Sequence, residues 1–338
     1  NRVRSSYYGT SEEDIQYNFN LSNLGVVFSQ AVSSPGSEGG WRFVNFGLGI
    51  NRHRNFNHRW IAEGFNNESS LMTDFLNQAT RQGVNNLDAF STDLAWQTWL
   101  LGEENGQFFV DMPGGNVLQR QETNTSGSIR ELVFSIGANY NDRLYLGATV
   151  GVPSVRFEEE SVYTEEDTQN LSQVFRALTF RNQYTVSGSG YNFKFGAMYR
   201  LTDMIRLGAA VHTPSFFKLE EEYNASMRTD LNLEYTSNFA SARGRFDYEV
   251  NTPLRMIGSL GLVFGANGLL SLDYEYNDYS QARLRSGSHS FSAENRRIRE
   301  AFTTQHVLRL GGEIRLNPVA LRAGYGYYSN PYKEGIND

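Results

Sequence analysis

The chain has 338 residues, with 30 Lys and Arg against 37 Asp and Glu, a net charge of -7 and a mean hydropathy of -0.49. The acidic balance excludes nucleic acid as a partner. The absence of cysteine excludes disulfides, thiolate metal sites and cysteine nucleophiles, and no run approaches the ~18 apolar residues of a helical membrane span. The 19 Tyr, 23 Phe and 32 Gly suit a β-barrel, which uses aromatics as interfacial girdles and glycine where the wall bends or leaves space.

Ile15, Tyr17, Phe19 and Leu21 alternate, then the phase shifts to Leu24, Val26 and Phe28, which predicts a bulge near Asn23. Residues 31–40 form a Ser/Pro/Gly turn. Residues 41–51 read as a strand with Val44, Phe46, Leu48 and Ile50 on one face. Residues 53–127 are a long excursion whose middle is helical: Leu71, Phe75 and Ala79, then Leu87, Phe90 and Leu94, then Trp96, Trp99 and Leu100 recur at helical spacing. Residues 67–70 supply cap chemistry. The chain returns through Leu132, Phe134, Ile136 and Ala138, turns tightly at Asn141-Asp142, and leaves from 143 to about 162. Here the alternation is cleanest: Leu144, Leu146, Ala148, Val150 and Val152 point one way, and Tyr145, Gly147, Thr149 and Gly151 the other.

An acidic loop is expected next, holding Glu158, Glu159, Glu160, Glu165, Glu166 and Asp167. Residues 185–200 return through Tyr191, Phe193, Phe195 and Ala197, Thr202-Asp203 turns, and Ile205, Leu207, Ala209 and Val211 leave. An excursion over 214–239 follows, whose start reads as strand. A returning strand spans 240–264, residues 265–268 turn, and Leu270, Leu272, Tyr274 and Tyr276 leave. After a loop at 286–304, Leu308, Leu310 and Ile314 return, Asn317-Pro318 turns, and Val319, Leu321, Ala323 and Tyr325 leave.

This amounts to about ten strands joined alternately by short turns and long loops. The reading is all-β: a transmembrane antiparallel barrel of the bacterial outer membrane, a single domain over 1–338 with a helical extracellular insertion at 58–125. A soluble all-β protein is the rival, but it would bury the apolar face. Several strands exceed the ~9–11 residues that cross a bilayer, so the wall is expected to project outside it. The chain carries no signal peptide at Asn1 and ends in Lys333-Glu334-Gly335-Ile336-Asn337-Asp338. It is therefore read as a mature or truncated form with further barrel expected at both ends.

The polar face predicts a lumen lined by Lys194, Arg206, His212, Arg255, Asp273, Glu275, Arg309, Glu313, Arg315 and Arg322. These charges brace one another across strands, or some of the arginines meet an anionic ligand group. Gly147, Gly151, Gly196, Gly208 and Gly261 leave open patches between them. In the helical insertion, Leu71, Phe75, Leu87, Phe90, Leu94, Trp96, Trp99 and Leu100 exceed what a solvated loop needs. They pack loop helices on the barrel rim, or form an extracellular groove that first captures a hydrophobic ligand. The five histidines, His53, His58, His212, His289 and His306, have no metal-ligand spacing, and no catalytic constellation assembles; neither enzyme activity nor a metal or other cofactor is expected.

Residues 188–200 (GSGYNFKFGAMYR) followed by 205–215 (IRLGAAVHTPS), 252–255 (TPLR) leading into 269–280 (LLSLDYEYNDYS), and 85–90 (NNLDAF) leading to 94–96 (LAW) resemble the FadL-type outer-membrane transporters of hydrophobic compounds, in the form common in Bacteroidota. The resemblance covers most of 15–328. It implies a 14-stranded barrel, of which about ten strands are in this chain, with an N-terminal hatch that this sequence lacks. It also implies passive uptake of long-chain fatty acids or aromatic hydrocarbons from outside and delivery through a kink in the wall. The outer groove maps onto about 69–101. The implied partners are membrane lipid or lipopolysaccharide and a hydrophobic small molecule such as a fatty acid or a detergent mimic. Because family relatives also serve as scaffolds in protein secretion, a protein partner in an outer-membrane complex is the alternative.

Overall fold

The computed structural model describes residues 2–15, 21–32, 39–110, 114–232 and 235–336. A hairpin of β1 (Arg2–Tyr7) and β2 (Thr10–Ile15) precedes β3 (Asn23–Ala31) and β4 (Trp41–Asn55). Tyr17 and Phe19 lie outside the described residues. The expected strand through Ile15 to Leu21, with its bulge near Asn23, falls largely on residues outside those described; β2 is described to Ile15 and β3 from Asn23. The insertion opens on β5 (His58–Asn66), runs through α1 (Leu71–Gln82) and α2 (Thr92–Gln97), and makes a small hairpin of β6 (Gly102–Glu104) and β7 (Gln107–Phe109). The residues between α1 and α2 carry a single turn of 3-10 helix at Val84–Asn86.

Three long strands follow: β8 (Val117–Tyr140), β9 (Leu144–Glu166) and β10 (Phe175–Arg200). The expected acidic loop is therefore strand. Glu158 to Glu166 continue β9 and pair with both β8 and β10. Alternation persists through them, but with charge in place of aliphatic side chains, so a reading keyed to apolar residues stops too early. β11 (Ile205–His212) and β12 (Phe216–Leu231) form one stave broken at 213–215. β13 (Tyr235–Ala240) folds back on β12. β14 (Gly244–Asn251) and β15 (Arg255–Val263) form the next stave, broken at Thr252-Pro253-Leu254. Proline lacks the N–H that a ladder needs, which is why Pro214 and Pro253 mark the breaks. β16 (Gly268–Asp278), the short β17 (Arg283–Arg285), α3 (Ser292–Ala301), β18 (Thr304–Leu316) and β19 (Val319–Tyr328) complete the chain. The helix α3 lies within what reads as plain loop at 286–304.

All these strands except β1, β2, β6 and β7 belong to one antiparallel sheet with the path β19-β18-β16-β15-β11-β10-β9-β8-β4-β3. It is the ten-stave wall of an all-β, barrel-class fold. The turn at Asn141 and Asp142 has positive φ at both residues (52 and 54), the geometry a tight antiparallel hairpin requires.

The lower half of the wall is exposed and apolar on one face, here called outer. It carries Phe46, Phe134, Leu146, Val150, Phe195, Leu207, Leu272 and Leu310, with Phe195 at 55% exposure. An apolar sheet face open over this extent is unstable against water and needs a covering phase. Aromatic pairs mark its two ends, Trp41 against Tyr140 at 5.3 Å below and Tyr191 against Phe216 at 5.2 Å above. Tyr191 and Tyr199 stand eight residues apart on β10, ~27 Å along a strand, which with barrel tilt matches an apolar band ~25 Å tall.

Candidate functional site

Above that band the sides exchange character. On β9, Leu146, Ala148, Val150 and Val152 face outward, but farther up the outward positions are Arg156, Glu158 and Glu160, and the inward ones are Val155, Phe157 and Tyr163. On β10, Tyr191, Phe193 and Phe195 face outward, then Arg181, Gln183 and Thr185 do, while Val186, Tyr184 and Phe180 turn inward. β12 and β14 share the upper pattern, with Phe217, Leu219, Tyr223, Phe246 and Tyr248 inward against Lys218, Glu220, Glu222, Arg245, Asp247 and Glu249 outward. No residue is inserted to switch the phase. The strand keeps its pleat, and the sequence changes which side is greasy.

The upper inner face is thus an aromatic chamber. Successive register rows hold Glu159, Tyr184 and Tyr223, then Phe157, Val186, Glu221 and Phe246, then Val155, Leu219 and Tyr248. Phe157 lies 5.2 Å edge-on to Phe56 and 6.1 Å from Tyr184. Phe246, Tyr248, His289 and Phe291 cluster within 6.2 Å, so the loop before α3 closes one side. Two glycines admit close approach, one of a ring and one of a neighbouring strand's backbone. A Cβ at Gly244 would meet the Tyr223 ring, and at Gly127 (φ 111) one would strike the Arg156 carbonyl. Tyr184 donates a 3.1 Å hydrogen bond to Glu221 Oε2. Burial, then the Glu221 charge, pushes the phenols of Tyr184 and Tyr248 above their ordinary range.

The insertion roofs this chamber. Ser70 caps α1, accepting from the Met72 amide at 3.1 Å. The whole helix is anchored by Glu165, which is fully buried and accepts from Ser70 Oγ (2.6 Å), the Leu71 amide (2.8 Å), Gln119 Nε2 (2.9 Å) and Tyr163 Oη (2.6 Å). A carboxylate at a helix N-terminus meets both the free amides and the positive end of the dipole. Beneath the helices, Phe75, Leu94 and Leu100 are buried with Leu178, Ala225 and Met227 of the wall; Leu71, Leu87, Phe90 and Trp96 pack against that cluster. Phe75 meets Phe180 at 5.5 Å and Phe90 meets Tyr223 at 4.6 Å. Of the eight apolar residues singled out in the insertion, only Trp99 stands clear, 69% exposed.

Below the chamber the inner face becomes charged, and the register puts all ten predicted lumen residues on it. Glu275 pairs with Arg255 (3.0 Å) and Arg309 (2.9 Å), and Glu313 with Arg315 (2.5 Å) and Arg322 (2.6 Å). Asp273 accepts from Ser259, and His212 stands opposite both Lys194 and Arg255. Arg206 helps line an inner cleft of about 550 Å³ with Gly147, Gly196, Gly208 and Gly261. Gly151 leaves no such space, being filled by Glu131 and Asn192.

Glu131, Asn192 and His53 form the chamber floor, an assembly that the lumen residues read from sequence do not include. Glu131 binds Lys194 at 2.5 Å, His53 at 3.0 Å and Asn192 Nδ2 at 2.7 Å. Its position between Arg130 and Leu132, out of phase with the apolar residues, is the signal that places it inside. The chamber aromatics were legible only by continuing the count of two past Val152 into the Glu-rich stretch.

No family model matches the chain, and no curated protein matches it. The chain is similar to the crystal structure of the Pseudomonas putida toluene transporter TodX, at 15% identity over 91% of this chain and 74% of that one, with a TM-score of 0.41. It is also similar to the TodX ΔS2S3 mutant, a monoaromatic hydrocarbon channel, at 14% identity over 98% of this chain and 72% of that one, with a TM-score of 0.47. Likeness at this level carries no argument of its own.

Proposed function

We propose that this chain is the wall of an outer-membrane channel of FadL type, through which hydrophobic small molecules pass by diffusion. The exchange of apolar face along β9 and β10 is the observation that carries this reading. A face greasy outward for the height of a bilayer and greasy inward above it holds lipid outside and an apolar ligand inside. The belt of paired outward charges just above the band, Arg156 with Glu158 at 2.5 Å and Arg181 with Glu160 at 2.6 Å, is then the surface that meets lipopolysaccharide head groups. Ligand is first captured beside Trp99, moves under the loop helices into the chamber, and leaves through the charged lumen. Its driving force is transfer of apolar area from water, ~25 cal/mol per Å².

The test is binding and uptake of oleate and of toluene by the intact chain in outer-membrane vesicles, compared with Phe157→Ala plus Tyr223→Ala. Losing two rings from the chamber is expected to weaken binding at least tenfold and slow uptake in step. Unchanged binding and uptake of both compounds would contradict the assignment of the chamber.

A further inference from the structure

Two acidic triplets, Glu158-Glu159-Glu160 on β9 and Glu220-Glu221-Glu222 on β12, straddle the wall so that the middle member of each faces the chamber and its neighbours face out. The outward four are each matched by an arginine: Glu158 by Arg156, Glu160 by Arg181, Glu220 by Arg245 and Glu222 by Arg243. The inward two have no such partner. Glu221 accepts only the Tyr184 phenol, and Glu159 makes no hydrogen bond or ion pair among the described residues. The inward positions of β8 from Gln119 to Ile129, β9 from Val155 to Glu165, β10 from Leu178 to Gly190, β12 from Phe217 to Thr229 and β14 from Gly244 to Val250 hold no Lys or Arg.

Most of the other charges nearby are engaged elsewhere. Glu165 is occupied by the α1 N-terminus. At the floor, Lys194 and His53 are on Glu131, whereas Arg54, in register with the inward Ile129, is an inward cation two rows below Glu159. Arg296, Arg297 and Arg299 of α3 are exposed. His58 lies opposite Thr125, and His289 packs on Phe291.

We infer that the chamber selects hydrophobic cations: molecules with an apolar body and an amine or quaternary ammonium head that settles between Glu159 and Glu221 against the faces of Tyr184, Phe246 and Tyr248. This rests on reading the chamber as the ligand site. Aromatic faces carry negative potential that attracts a cation, and more strongly where water is thin. The same walls repel a carboxylate, since two glutamates already stand there with no ion-pair partner among the described residues. A bare divalent metal does not fit, because no cluster of three acidic or imidazole ligands exists among the described residues. The high tyrosine pKa values agree, since the phenols stay neutral and keep their faces available beside carboxylate.

The test uses the intact chain in lipid vesicles and three probes with one tail: decyltrimethylammonium, decanol and decanoate, each below its micellar concentration. The expected order of affinity is cation, alcohol, anion, with the cation at least tenfold tighter than decanoate. Glu159→Gln plus Glu221→Gln is expected to remove that preference and leave decanol binding unchanged. Added salt is expected to shrink the preference in the parent chain. Glu159→Gln alone, which breaks no hydrogen bond, is expected to lose part of it and guards against misfolding of the double variant. Decanoate binding as tightly as the cation, or a preference that survives the double variant, would overturn the inference while leaving the chamber intact as a site. Decanol affinity insensitive to Phe157→Ala plus Tyr223→Ala would instead overturn the chamber itself, and the inference with it.

Discussion

Glu131 is 1% exposed and binds His53 from β4 and both Lys194 and Asn192 from β10. A buried carboxylate of this kind is costly to place and more costly to orphan, because removing one charge leaves its partner desolvated and unpaired. Glu131→Gln keeps the shape and strands Lys194. It is expected to lower unfolding free energy by about 3 kcal/mol, read from denaturant midpoints of the reconstituted protein by tryptophan fluorescence. Glu131→Gln combined with Lys194→Met is expected to recover part of the loss, and a midpoint unmoved by the single change would contradict the role given to this carboxylate. The ten charges of the lower wall were legible in sequence because alternation there is driven by the apolar residues between them. Glu159 and Glu221 were not, because each sits among like residues. Only the pleat, carried unbroken past the apolar residues, separates the member that faces arginines from the one that faces rings.

The insertion shows how far helical spacing reaches. The spacing of Leu71, Phe75 and Ala79 located α1, but Leu87 and Phe90 precede α2 and Trp99 and Leu100 follow it, and spacing alone does not say what a helix packs upon. The missing partner is the upper part of β10 and β12, hidden because those strands read as shorter than they are. α3 was invisible for the opposite reason: its ten residues, SAENRRIREA, offer too few apolar positions to show a period. Glu165 ties the roof to the wall through four donors. Glu165→Ala leaves the Ser70 hydroxyl, two amide groups and a phenol without their acceptor, at roughly 1–3 kcal/mol for each one left buried and unsatisfied. The expected result is faster protease cleavage within 67–116 and faster amide exchange in α1, with β9 and β10 unchanged below residue 152 and above residue 190. A roof as resistant as the parent's would contradict the anchoring.

Taken whole, the molecule is a wall with two regimes, greasy outward below and greasy inward above, and everything proposed for it depends on the lower regime facing hydrocarbon. The strand count, turn alternation and outward residues were all legible, since a pleat of period two leaves no third side for them. The exchange of sides was not, because a reader who has fixed the outside by its apolar residues loses the strand where those residues change face. The chain has no cysteine, so single cysteines carry a fluorophore without background. Labels at Leu146, Phe195 and Leu272, with controls at Arg156 and Lys218, are to be read for quenching in vesicles of brominated lipid. Strong quenching at the first three and little at the controls is expected. Labels at Leu146, Phe195 and Leu272 that ignore the brominated lipid and instead yield to a water-soluble quencher would contradict it.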